Sequence, residues 1–298
     1  MGGSTDDLRR TATAAEALGF DVLSTFDHLG PYWPPLAPLL AAALWTDHLR
    51  VCPLVLCNDF HHPALLAREL AAMDLLSGGR VEVGLGAGHA FLEYASIGRE
   101  MDPPAVRKAR LVESMTVLRR LLDGEAVTYA GQHYRLEEAR ILPPAQAHVP
   151  ILAAVDGRRA LERTVPRADI IGLTMLGRTL SDGVSHQPRW QSERLDQRVA
   201  WVRQAAAGRE EGPELNALVQ SVRITEDRRA AAQEILARFP NLDIEDLLET
   251  PFLAIGTHDE VADHLRRCRE RWGISYFTVR DLDGFAPVIA RLREPSAA

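Results

Sequence analysis

Cysteine is scarce in this sequence. Only three occur, Cys52, Cys57 and Cys268, an odd number at unrelated spacings. There is no C-x-x-C pair and no Cys/His spacing of the zinc type, which argues against a disulfide scaffold and a structural metal module. Reduced thiols in a cytoplasm are the simple reading. Long apolar runs are missing too, and none approaches the about 20 residues of a membrane helix. The first residues, Met1-Gly2-Gly3-Ser4-Thr5-Asp6-Asp7, carry neither a basic stretch nor an apolar core and do not read as a signal peptide. Positive charge is the minority sign, with 34 Lys+Arg against 41 Asp+Glu and a formal net charge of −7. A general nucleic-acid or anionic-membrane binder needs a basic surface, so neither partner is expected; one local basic pocket for a phosphate remains compatible.

What is present suits a large folded domain. Hydrophobic residues make up 46% and charged residues 25%, so a core is easily built. The 298 residues are expected to form one domain, 1–298, since α/β barrels of about 250 residues fold as single units. Ser4 or Thr5 reads as a helix N-cap, with Asp6 and Asp7 in the first turn. Leu8, Ala12, Ala15 and Leu18 then make a helical stripe that Gly19 ends. Strand candidates start at Phe20, Val51, Val81, Ile151, Ile170, Leu218, Phe252 and Tyr276. Helical patterns lie between them, at 36–45, 64–76, 106–122, 195–207, 230–238 and 260–272, with one more from about Arg158. Residues 128–136 suggest a small hairpin, and the polar stretch 178–189 a mobile loop. Alternating strands and helices imply βαβ units and a parallel sheet. Gly84-Leu85-Gly86-Ala87-Gly88 lacks the third glycine of a dinucleotide fingerprint and comes late in the chain, so a barrel is preferred over a doubly wound sheet.

In a barrel, active residues sit at the C-terminal ends of strands. Four such ends are polar or unusual: Asp27-His28, Cys57 through His62, Gly86-Ala87-Gly88-His89, and Asp156-Gly157-Arg158-Arg159. His28 suits acid–base work with Asp27 orienting it; the alternative is a capping Asp beside a His bonded to backbone. His61 and His62 suggest a metal weakly, because adjacent side chains diverge and no ligand stands at helical spacing; a loop entering a Pro-started helix explains them as well. The glycines allow close approach of a ligand or simply a tight turn. His89 and Glu93 would share a face on a helix, or Glu93 is an ordinary solvated residue. Asp156 to Arg159 is an anion site or a plain helix start with Asp156 as cap. Cys57 reads as a reactive thiol or, more simply, a buried inert one.

A family resemblance adds to this reading. Ala14-Ala15-Glu16-Ala17-Leu18-Gly19-Phe20-Asp21 leading to Phe26-Asp27-His28-Leu29 resembles the opening of luciferase-like oxidoreductases. The block from His62-Pro63 through Leu76-Ser77-Gly78-Gly79-Arg80, followed by Gly84-Leu85-Gly86-Ala87-Gly88-His89 and Glu93-Tyr94, is similar as well. The Gly-Ala-Gly-His variant looks most like the branch that uses the deazaflavin coenzyme F420. The resemblance implies an α/β class protein, a (β/α)8 TIM barrel, commonly a homodimer, acting on a small organic substrate. Asp27 and His28 would border the deazaflavin ring, with His28 or His89 moving the proton that accompanies hydride transfer. Leu54, Val55, Cys57 and Asn58 would back the ring around a non-proline cis peptide. Gly86, Gly88 and His89 would line its other side, and Ala154, Asp156, Gly157 and Arg158 would hold the phosphate. A flavin-mononucleotide (FMN) monooxygenase on the same scaffold is the alternative. From another class, a metal hydrolase using His61 and His62, or a cofactor-less binding protein, stays open. Family members usually begin with a strand before the first helix. None is visible here, so the barrel is expected to lack its first strand, with the short run at 252–255 an extra segment.

Overall fold

Caps and glycines divide the chain much as the patterning predicts. The computed structural model describes residues 3–180 and 186–293, which fall into two compact units, 1–170 and 171–298. In the first, α1 (Thr5–Ala17) opens on a capping box: Ser4 Oγ accepts from the Asp7 N–H and the Asp7 carboxylate accepts from the Ser4 N–H. Leu8, Ala12 and Ala15 are its buried stripe. The chain continues through β1 (Val22–Thr25), α2 (Leu36–Leu44), β2 (Arg50–Pro53), β3 (Leu56–Cys57), a 3-10 turn (Asn58–Phe60) and α3 (Pro63–Ser77). Then come β4 (Val83–Gly86), α4 (Phe91–Ser96), α5 (Pro104–Leu122), a hairpin of β5 (Val127–Ala130) and β6 (Arg135–Ala139), β7 (Ile151–Ala154) and α6 (Arg158–Thr164). Among the described residues no strand precedes α1.

Apart from the antiparallel β5–β6 hairpin, the ladders of this unit are parallel, as βαβ connections require. β1 pairs with β2, Val22 opposite Arg50. β4 lies between β3 and β7. Every residue of β4 is buried, the signature of a strand covered on both faces. Gly84 is needed there, because a Cβ would overlap the Pro53 carbonyl oxygen of the neighbouring strand. Between β2 and β3 the Leu54–Val55 peptide is cis, where the resemblance expects such a bond. On α5, Leu111, Met115, Leu118 and Leu122 are at most 2% exposed. Each such side chain contributes roughly 1.5–3 kcal/mol by leaving water.

In the second unit come β8 (Ile170–Gly172), an antiparallel pair of β9 (Arg178–Thr179) and β10 (His186–Gln187), and α7 (Ser192–Ala205). They are followed by β11 (Glu214–Leu218), β12 (Ser221–Ile224), α8 (Arg228–Leu236), α9 (Ile244–Glu249), β13 (Leu253–Gly256), α10 (His258–Trp272), β14 (Ile274–Thr278) and α11 (Leu282–Arg293). β11 lies between β8 and β14. The single strand expected at 218–224 is two strands, β11 and β12, separated by two residues. The run at 252–255 enters β13, which pairs with β12 apart from the β8–β11–β14 set, the separate position its shortness suggested. Two helices escaped the periodicity. α9 is only six residues long, and α11 contains Gly284 and Pro287, residues that read as breakers. Of the loop expected at 178–189, residues 181–185 lie outside the described residues. No helix of the described residues is long and apolar enough to cross a membrane.

The hairpin is held to α5 by one carboxylate. Glu113 accepts from three successive backbone N–H groups, those of Gln132 (2.9 Å), His133 (2.9 Å) and Tyr134 (3.3 Å). Partial burial raises its pKa, but these bonds outweigh that and leave it below the ordinary 4.5. A depressed carboxylate stabilises the fold above its unfolded pKa and loses that contribution as pH falls through the folded one. Glu113→Gln is therefore expected to cost about 1–3 kcal/mol at neutral pH. Urea unfolding of both proteins between neutral and strongly acidic pH checks this, and the difference should close below the ordinary glutamate range.

Candidate active site

Three of the four polar strand ends, those at Asp27-His28, Cys57–His62 and Gly86–His89, meet around His28. Asp27, following β1, reaches across to the end of β3. Its Oδ2 accepts from the Cys57 N–H at 2.9 Å and stands 3.2 Å from His61 Nε2. This brace holds the loop that carries His28. The half-buried His28 ring places Nδ1 2.6 Å from Glu93 Oε1. A carboxylate only accepts, so Nδ1 carries the hydrogen in the neutral ring and Nε2 presents a lone pair. Phe26 packs on the same imidazole at a centroid distance of 5.4 Å, and His89 meets it edge-on at 5.5 Å.

Beneath this pair lies a buried polar chain. Tyr94, next to Glu93 on α4, donates to Asp59 Oδ2 at 3.1 Å, and its hydroxyl is 3.5 Å from Cys57 Sγ. Arg110 on α5 donates to the same Asp59 oxygen at 2.7 Å and to the Asp102 carboxylate. Arg99 donates to the Asp59 carbonyl. Burial lowers the Arg110 pKa, but the bonds to Asp102 and Asp59 outweigh it and hold the guanidinium charged. Burial pushes the Tyr94 phenol well above its ordinary 10.0, and it pushes the Cys57 thiol to about 11. Gly88 sits against this chain at φ +74°, where a Cβ would overlap the Tyr94 hydroxyl and come within 2.8 Å of Cys57 Sγ.

Residues 1–241 match the profile of the luciferase-like monooxygenases. The chain belongs to the luciferase-like monooxygenase family. Among curated relatives, an F420-dependent glucose-6-phosphate dehydrogenase of Amycolatopsis mediterranei is 36% identical over 160 residues, 51% of this chain and 48% of that protein. The chain therefore spans about half the length of such relatives. Among solved structures, an F420-dependent secondary alcohol dehydrogenase in complex with an F420–acetone adduct has a TM-score of 0.77 at 20% identity, covering 97% of this chain and 95% of that one. A monooxygenase from Streptomyces bottropensis has a TM-score of 0.74 at 22% identity, covering 96% and 90%. These neighbours share the fold, and the luciferase-like α/β TIM barrel expected from the sequence agrees with them.

Within this family framework the expected site residues sort by accessibility. Asp27, His28, Leu54, Val55, Gly88, Ala154, Asp156 and Gly157 are partly accessible, and His89 and Arg158 are exposed. Gly86 is buried against Val55, whose Cγ2 a Cβ would meet at 2.8 Å. Cys57 faces inward to Tyr94, and Asn58 is fully buried with Nδ2 donating to Tyr134 Oη at 3.2 Å. His61 and His62 part company: His61 turns to Asp27, while His62 caps α3 by accepting from the Ala64 N–H at 3.3 Å. Among the described residues no group of three His, Cys, Asp or Glu side chains is placed to hold a metal ion.

Two expectations are corrected. His89 and Glu93 do not share a helix face, since α4 starts at Phe91; they converge on His28 from a turn and a helix instead. Asp156 does not cap α6; Gly157 occupies that position without a side-chain bond. Arg158 turns to Glu162 at 2.9 Å. Lys108 also reaches that turn, its Nζ donating to the Asp156 carbonyl at 2.6 Å. The sequence singles out none of Lys108, Arg107 and Arg110, which lie inside an ordinary helical pattern, and shows Asp59 and Tyr94 only as members of a polar strand end and of the family block. The one available signal was the basic cluster Arg107-Lys108-x-Arg110 near the start of a largely apolar helix. The three thiols are buried and unpaired, and burial raises Cys52 and takes Cys268 to about 12. Native protein should resist iodoacetamide at neutral pH, with all three cysteines alkylated in concentrated urea; mass spectrometry of the intact chain reads this directly.

Proposed function

We propose that the protein is an oxidoreductase that transfers a hydride between coenzyme F420 and a small organic substrate. The observation that carries this reading is the His28–Glu93 pair, held at 2.6 Å at a strand end with His89 edge-on beside it. Relatives named as F420-dependent dehydrogenases support it. The residues present fit such a coenzyme. Lys108 brings positive charge to the Asp156–Gly157 turn, with Nζ 3.8 Å from where a Gly157 Cβ would stand. Leu54, Val55 and Gly88 are partly accessible residues just after β2 and β4. Lys108 with the turn of Ala154, Asp156 and Gly157 would hold the phosphate; Asp27, Leu54, Val55, Gly88 and His89 would border the ring. Cys57, Asn58 and Gly86 would act from behind.

When bound, the deazaflavin supplies two-electron hydride chemistry. The protein supplies orientation and proton handling. Glu93 fixes the tautomer and orientation of His28, so Nε2 is the atom that takes up or returns the substrate proton. His89 stands beside it on the exposed side. Asp27 keeps the His28 loop registered to β3.

A fluorescence titration with F420 and with FMN tests the reading. Tight F420 binding with weak FMN binding is expected, and the reverse overturns the choice in favour of a flavin monooxygenase. His28→Ala should lower turnover by about 100-fold or more with F420 affinity largely kept, in line with loss of a general acid–base group. Glu93→Gln should fall in between. Unchanged turnover in His28→Ala removes His28 from catalysis.

We further infer one barrel domain across 1–298 acting in the cytoplasm as a homodimer. On α3, Leu65, Ala72 and Leu76 share an exposed face, with Leu65 55% and Leu76 61% accessible. Apolar surface in such a stripe favours burial against a second copy. Light scattering should return twice the chain mass, and Leu76→Glu should halve it.

A further inference from the structure

Arg107 is a buried cation with an unusual set of partners. It is 7% exposed. Its Nε donates to the Asp102 carbonyl at 2.9 Å, and its Nη1 to the carbonyls of Ala87 (2.8 Å) and Gly88. Among the described residues no carboxylate pairs with it. A desolvated guanidinium needs acceptors, and here backbone oxygens supply them. Two of the three come from consecutive residues of the turn after β4.

That choice of acceptors orients two peptide planes at once. Among the described residues the only cis bond is Leu54–Val55, so both planes are trans. In a trans peptide the N–H lies opposite the C=O. Drawing the Ala87 and Gly88 carbonyls towards α5 therefore turns the N–H groups of Gly88 and His89 the other way. The turn is also confined by the Tyr94 hydroxyl and Cys57 Sγ, which leave no room for a Cβ on Gly88. Its next residue is His89, whose ring meets His28 at 5.5 Å. Neighbouring Lys108 grips the Asp156 carbonyl after β7 in the same manner. The first turns of α5 thus hold two strand-end turns.

We propose that Arg107 is a positioning residue of the active site: by holding the carbonyls of Ala87 and Gly88 it sets the Gly88–His89 backbone and places His89 against His28. This rests on the F420 oxidoreductase reading for its effect on the coenzyme, but the hold on the turn is independent of it. Lysine keeps the charge and loses the fork, whereas glutamine loses both.

The test uses full-length Arg107→Gln and Arg107→Lys. Hydrogen exchange of the peptide spanning 86–90, measured without coenzyme, should quicken by about tenfold or more in Arg107→Gln and less in Arg107→Lys. F420 affinity should fall by roughly tenfold in Arg107→Gln, with partial recovery in Arg107→Lys or on adding guanidinium ion. The pH profile of turnover should change shape in parallel. Exchange and affinity both within about twofold of wild type, with only the melting temperature lowered, would overturn the proposal. Should Arg107→Gln not fold, Arg107→Lys decides by the same readouts. Should wild type fail to bind F420, the oxidoreductase reading falls while the exchange comparison still decides whether Arg107 holds the turn.

Discussion

The buried carboxylate of Asp59 is the joint on which the site depends. One of its oxygens takes both the Arg110 guanidinium and the Tyr94 hydroxyl. Asp59 sits in the turn that ends β3, Tyr94 on α4 and Arg110 on α5, so a single charged group ties three elements together. Glu93 is the neighbour of Tyr94, and Arg107 lies one turn before Arg110. Fixing Tyr94 thereby fixes the carboxylate that orients His28, and fixing Arg110 sets the helix that grips the Gly88 turn. Removing one partner of a buried ion pair costs about 3–5 kcal/mol, because the other charge is left stranded. The geometry at His28 is thus as rigid as the network beneath it.

The arrangement divides labour between buried and accessible groups. Cys57, Tyr94, Asn58 and Asp59 are interior and serve placement. Burial pushes both the thiol and the phenol further above neutrality, so both stay protonated there. The partly accessible surface is left to one imidazole with a defined tautomer, a second imidazole beside it, and backbone. That allocation suits a bound coenzyme that brings its own reactivity and asks the protein for orientation.

Much of this was legible residue by residue. The capping box at Ser4, the termination at Gly19, Pro63 at the first turn of α3 and the hairpin at 127–139 follow from local rules that act within a few residues. The convergence of Asp27, His28, Gly88 and His89 followed from placing polar residues at strand ends. Helical spacing links Glu93 to His89 or leaves it an ordinary residue, whereas its hydrogen-bond partner is His28, 65 positions away. Lys108 reaches the Asp156 turn across 48 positions, a distance no local pattern spans. In both cases the partner came from a different element.

By itself, the sequence determined the fold class, the alternation of strands and helices, the polar strand ends, and the family. The first three rest on periodicity, caps and glycine, which are local, and the family on blocks of matching sequence. Only the tertiary structure decided which charges are paired, that Asn58 and Cys57 face inward, that His61 braces Asp27, and that α5 holds two strand-end turns. Those are long-range matters of burial and distance, and a buried polar group takes whichever partner the packing brings within hydrogen-bond reach.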